Sequence, residues 1–117
     1  MTVKPIKDHE LRDPGVPGTK NVQMRMLIGP SSGANVFHMR QFEVGPGGYT
    51  PHHQHNYEHE VLILSGRGHL KADDGDKPLQ AGDVVWIPAN EMHQFVNAGN
   101  EPLQFICLIP APQSCER

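Results

Sequence analysis

Five of the eight histidines in this 117-residue chain lie in two short stretches with spacings suited to metal ligation. His52, His53, His55 and His59 sit inside residues 47–66, GGYTPHHQHNYEHEVLILSG, and His93 follows in a second segment punctuated by Gly and Pro. In a β-strand, residues i and i+2 project from the same face about 7 Å apart, so His53 and His55 can aim both imidazoles at one point. His59 lies four positions beyond His55, roughly 13 Å away along a straight strand. Metal–nitrogen bonds are only about 2 Å long, so a turn at Asn56-Tyr57 must bring His59 back alongside. His52 has the opposite parity and should face outward. His93 has to arrive from a distant strand, which requires a closed sheet. A solvated, histidine-rich loop is the competing reading. It leaves the position of His93 unexplained, directly after a turn and at the start of a strand.

The elements that would position these side chains are short strands. Gly 12 and Pro 11 together make up about a fifth of the residues, a composition natural for many strands joined by tight turns. Residues 22–28 and 35–44 alternate in polarity. In the second run Val36, His38, Arg40 and Phe42 share one side, and Phe37, Met39, Gln41 and Glu43 share the other; periodicity alone leaves open which side is inward. Gly45-Pro46-Gly47-Gly48 reads as a strong break. Further strands are expected at 49–55, 59–64, 67–72, 77–80, 83–87, 92–97 and 102–109, with a hairpin loop at 72–76. Residues 1–20, with Pro5, Pro14 and Pro17, read as an extended arm, residues 21–110 as one β-domain, and 111–117 as a polar tail. No stretch shows sustained helical periodicity. Some nine short strands in about 100 residues point to an all-β antiparallel sandwich or barrel.

A formal net charge of −3 and a pI near 6.2 give no reason to expect nucleic acid or a membrane surface as partner. No apolar run approaches the roughly 20 residues of a membrane span. The first ten residues lack the apolar core of a secretory signal, so a cytoplasmic location is expected. Cys107 and Cys115 are read as two reduced thiols rather than a disulfide framework.

The two histidine stretches resemble the paired motifs of the cupin superfamily. The first motif, G-x5-H-x-H-x3,4-E-x6-G, is matched by Gly47, His53, His55, His59 and Gly66, with His59 where the family usually has glutamate. The second, G-x5-P-x-G-x2-H-x3-N, is matched by Gly82, Pro88, Asn90, His93 and Asn97; Asn90 replaces glycine, a mild change because Asn tolerates a left-handed turn. The resemblance implies a small single-domain cupin, a double-stranded β-helix or jelly-roll barrel. It implies one divalent metal held by His53, His55, His59 and His93, with Mn or Fe preferred over Zn or Ni. A one-residue slip would substitute Glu60 for His59, but it would also flip the other side chains of that strand. The EHE segment and the four histidines are similar to a subgroup of small manganese-binding cupins of unassigned activity. The family's habit of packing sheets and exchanging N-terminal strands makes a homodimer the expected assembly.

Four neutral imidazoles leave the charge of a divalent ion uncompensated, so an anionic ligand is expected. Arg40 is a candidate clamp for a substrate carboxylate. His38, on the same strand, Tyr57, in the turn between ligands, and Phe95, two residues beyond His93, are further candidates for substrate contact, with packing the default role of Tyr57 and core or dimer packing that of Phe95. Glu58 and Glu60 are read as orienting groups or surface residues, and Trp86 as a core or dimer-packing residue. Two functions follow from the resemblance. One is a metalloenzyme for a small oxygenated molecule, dioxygenase-type first and isomerase- or lyase-like second. The other is a non-catalytic binder or sensor of a small molecule or metal.

Overall fold

The computed structural model describes residues 1–111, so Cys115 and most of the expected tail lie outside the described residues. Eight strands follow in order: β1 (Lys20–Ile28), β2 (Phe37–Tyr49), β3 (His59–Ser65), β4 (Arg67–Ala72), β5 (Lys77–Gln80), β6 (Val84–Ile87), β7 (His93–Val96) and β8 (Leu103–Pro110). They hydrogen-bond in the order β5-β4-β7-β2-β8-β3-β6, with β1 on the other edge of β2, and every pairing is antiparallel. The sheet curls on itself into the jelly-roll barrel that the cupin resemblance implies.

Residues 45–48 do not break the chain. β2 runs straight through Gly45-Pro46-Gly47-Gly48. Its first part pairs with β8 from Phe37 to Val44, and its last residue, Tyr49, pairs with β7. The glycines therefore form a corner that carries one strand from one side of the barrel to the other. Gly47 takes φ +76°, and Gly48 lies so near the carbonyl of Lys20 that a Cβ would collide with it. Residues 50–58 are correspondingly not a strand. Residues 50–53 run along β7, joined to it by an isolated bridge between His53 and His93, and the chain bends at 56–57.

Alternation decides what reaches the lumen. In β3, His59, Val61 and Ile63 are buried while Glu60, Leu62 and Leu64 are exposed. In β8, Leu103, Phe105, Cys107 and Ile109 point inward. Paired residues on antiparallel strands share a face. The register Phe42 with Phe105, Arg40 with Cys107 and His38 with Ile109 therefore turns the His38–Arg40–Phe42 side of β2 inward. Val22, Val44, Ile63, Leu70, Leu79, Leu103 and Phe105 belong to the buried apolar core. Trp86 is 61% exposed on the outer face and so is not a core residue. The expected extended arm contains one short 3-10 turn, Ile6–Asp8, and Arg12 exchanges both backbone hydrogen bonds with Met24 of β1.

Candidate metal centre

Backbone and side-chain hydrogen bonds, rather than a regular ladder, hold the first histidine stretch in place. Thr50 Oγ1 accepts from the Phe95 amide at 2.9 Å, and the Gln94 side-chain amide donates to the Thr50 carbonyl at 2.9 Å. The His53 and His93 amides each donate to the other's carbonyl, at 3.1 and 2.9 Å. The His55 carbonyl accepts from the amide of Asn90, which takes φ +66°, the left-handed conformation that the motif's usual glycine would supply. Strand-like parity persists without a strand: His52 and Gln54 are exposed, His53 and His55 half-buried. The chain bends at Asn56-Tyr57 and returns with His59 as the first residue of β3. Glu60 is exposed on the outer face, opposite Trp86, and Glu58 is exposed as well.

The result is a cluster of imidazoles at one end of the lumen. Ligand atoms of His53, His55 and His93 all lie within 4.8 Å of one another, and these three residues could hold a metal ion. The His53 and His55 Nε2 atoms are 3.1 Å apart. Two nitrogens bound at about 2.1 Å and at right angles to each other would be about 3.0 Å apart, so the observed spacing fits a shared ion. His59 belongs to the same group of rings, its centroid 4.9 Å from that of His55 and 5.1 Å from that of His93. Its Nε2 is buried without a hydrogen-bond partner. The His93 Nδ1–H donates to the Glu91 carbonyl at 2.9 Å, which leaves its Nε2 as a bare lone pair.

Burial favours the neutral form of His53, His59 and His93. Burial, with the neighbouring His55, His93 and Arg40, pushes His53 down to about 4. Burial, then His93 and Arg40, hold His59 far below the ordinary histidine range. Burial also lowers His93, against the opposing hydrogen bond to Glu91. At neutral pH their lone pairs are therefore free to bind a cation.

The cluster opens into a cavity of about 610 Å³. Arg40 and Phe42 of β2, Tyr57, Phe95 of β7, and Phe105 and Cys107 of β8 line it, together with Pro14, Val16 and Pro17 of the N-terminal arm. Phe105 stacks between Phe95 and Phe42, with ring centroids 4.4 and 5.3 Å away. The Arg40 guanidinium lies 4.9 Å from the Phe42 ring centre, and its Nε is buried without a hydrogen-bond partner. Tyr57 stacks on His55 at 4.7 Å, with the rings nearly parallel. Of the four candidates for substrate contact, Arg40, His38, Tyr57 and Phe95, His38 alone stands apart from the cavity. It is 1% exposed and donates from Nε2 to the Ala34 carbonyl at 3.0 Å. Sequence reasoning missed Cys107, read there only as a reduced thiol. Its Sγ is 3.1 Å from His59 Nδ1 and 3.5 Å from Arg40 Nη2. Strand parity with Phe105 could have placed both in the lumen.

Residues 40–109 match the family model of the cupin domain. Among solved structures, the polyketide cyclase RemF from Streptomyces resistomycificus superposes with a TM-score of 0.89, at 32% identity, over 94% of this chain and 79% of its own. An oxalate-binding protein from Thermotoga maritima is 31% identical over 94 residues, 79% of this chain and 78% of that protein. The 1-methylthio-D-xylulose 5-phosphate methylsulfurylase of Rhodospirillum rubrum is 40% identical over 73 residues. Those residues cover 62% of this chain and 47% of the enzyme, so the chain spans about half of that relative's length. The matched residues include both histidine stretches and the strands that hold them, and the chain belongs to the cupin family.

Proposed function

We propose that His53, His55, His59 and His93 hold one divalent ion, Mn or Fe in preference to Zn or Ni, and that the chain is a metalloenzyme for a small oxygenated anion. The observation that carries this reading is the charge of the cavity. Among the described residues its wall contains five imidazoles, those of His52, His53, His55, His59 and His93, and a guanidinium and no carboxylate. A divalent ion added to that wall would need negative charge from its ligand. When bound, the ion would polarise a coordinated oxygen as a Lewis acid.

The chain's own groups supply the rest. Arg40, with a free buried N–H and a fixed position over Phe42, offers a carboxylate a charged donor. Phe42, Phe95 and Phe105 present flat apolar surface and exclude water from the ring cluster. These features favour a substrate with an anionic, oxygen-bearing head and a flat apolar body, which accords with the likeness to a polyketide cyclase. Oxygenase-type turnover is the leading chemistry, with isomerase- or lyase-like chemistry behind it. The second reading, a non-catalytic binder, is favoured by the likeness to an oxalate-binding protein. We also propose a homodimer, supported by the exposed apolar face of Leu62, Leu64, Val84 and Trp86. Sedimentation of the wild type against Trp86→Lys reads that assembly.

The test of function is to incubate Mn-, Fe- and Zn-loaded protein with small aromatic and dicarbonyl carboxylates, with and without air. Conversion by the Mn or Fe form that needs air and is lost with Zn identifies oxygenase chemistry. Conversion by all three forms identifies Lewis-acid chemistry. Stoichiometric binding with every compound recovered unchanged overturns the enzyme reading in favour of the binder.

A further inference from the structure

We infer that Cys107 is a positioning residue for His59: its sulfur holds the proton of that ring on Nδ1 and so presents Nε2 to the cluster as a bare lone pair. The inference rests on the metal-site reading above. Three contacts around the sulfur favour one arrangement of protons. The Leu108 carbonyl lies 3.9 Å from Sγ and can only accept, so it offers the thiol hydrogen an acceptor other than His59. Arg40 Nη2, 3.5 Å away, can only donate. With its one hydrogen directed at Leu108, the sulfur meets His59 Nδ1, at 3.1 Å, as an acceptor. In that arrangement Nδ1 carries the ring proton.

The other end of the ring agrees. His59 is only 5% exposed, and its Nε2 has no hydrogen-bond partner. A buried N–H left without an acceptor at that position would be costly, whereas a lone pair facing a cation site is not. His93 has the same arrangement, with the Glu91 carbonyl in the place of the sulfur. Metal-ligating histidines generally need such a partner on the distal nitrogen. For His59 the partner comes from β8, on the diagonal neighbour of its strand pair. Arg40 ties the same sulfur to the anion-binding wall, so one atom links the ring to the guanidinium.

Histidine 15N–1H long-range correlation spectra of the metal-free, full-length protein test this, alongside Zn²⁺ titration of the same samples. Wild-type His59 is expected to be protonated on Nδ1. Cys107→Val, close in volume but without an acceptor, should shift His59 toward the Nε2–H form and weaken Zn²⁺ binding about 10- to 100-fold. Cys107→Ser, whose hydroxyl can still accept, should restore the Nδ1–H form and most of the affinity. A wild-type His59 protonated on Nε2 would overturn the inference, and that measurement stands even if the valine variant fails to fold. So would a valine variant with an unchanged His59 tautomer and unchanged Zn²⁺ affinity. An Nδ1–H tautomer that shifts in Cys107→Val, in a wild type that binds no Zn²⁺, would support the sulfur's role and overturn the metal reading instead.

Discussion

His53 and His93 lie forty positions apart in the chain and exchange both of their backbone hydrogen bonds. The bridge is main chain to main chain, so it survives replacement of either imidazole. It joins the extended segment after β2 to the start of β7, and with Thr50 it sets the spacing of the ring cluster. Side-chain substitutions at the cluster can therefore report on chemistry without dismantling the frame that holds it.

The first prediction concerns Arg40. Methionine keeps an unbranched apolar stem against Phe42 and removes the charge. Arg40→Met is expected to weaken binding of a small carboxylate such as benzoate by about tenfold or more, since a hydrogen bond to a charged group contributes about 1.5–3 kcal/mol. Binding of neutral benzamide should change little. Calorimetric titration of both compounds into metal-loaded protein makes the comparison. Equal losses for the two would remove Arg40 from anion recognition.

The metal-free protein should lose stability on acidification. His53, His59 and His93 are held below the ordinary histidine value of 6.5 in the folded state. Below that pH the unfolded chain binds protons that the folded chain does not, so stability falls as pH falls. For His53 the loss runs from about 6.5 down to its folded value of about 4. Melting temperatures across pH 4–8 should decline below 6.5, and the decline should be smaller in His53→Ala. A flat profile through this window would contradict neutral, buried imidazoles.

Asn97 ends the second motif and is structural. Its amide nitrogen donates to the carbonyls of Val44 and Glu101, both at 2.8 Å, and its carbonyl oxygen accepts from the Gly99 amide at 2.8 Å. The residue is 1% exposed, so Asn97→Ala strands buried backbone groups as well as removing a side chain. A loss of about 3 kcal/mol is expected, read by urea denaturation, with metal affinity per folded molecule retained.

Much of the centre was legible in the sequence because its rules are local. Parity set His52 apart from His53 and His55, the turn at Asn56-Tyr57 was required by distance, and the left-handed backbone of Asn90 followed from its place in the motif. The errors came where local chemistry has two outcomes. Gly45-Pro46-Gly47-Gly48 carries the composition of a loop, yet the same freedom lets a continuous strand turn a corner. Trp86 is apolar, yet strand alternation places it outside. The Cys107–His59 contact depends on the register of β8 against β3, which is set by long-range pairing and has no local signature.

The central claim, one ion held by His53, His55, His59 and His93, is tested most directly by elemental analysis of protein loaded with excess Mn²⁺ and desalted. The account predicts one Mn per wild-type chain and, in a folded His93→Ala variant, a content near zero. Wild-type protein that retains no metal, or a His93→Ala variant that retains as much as the wild type, would contradict it.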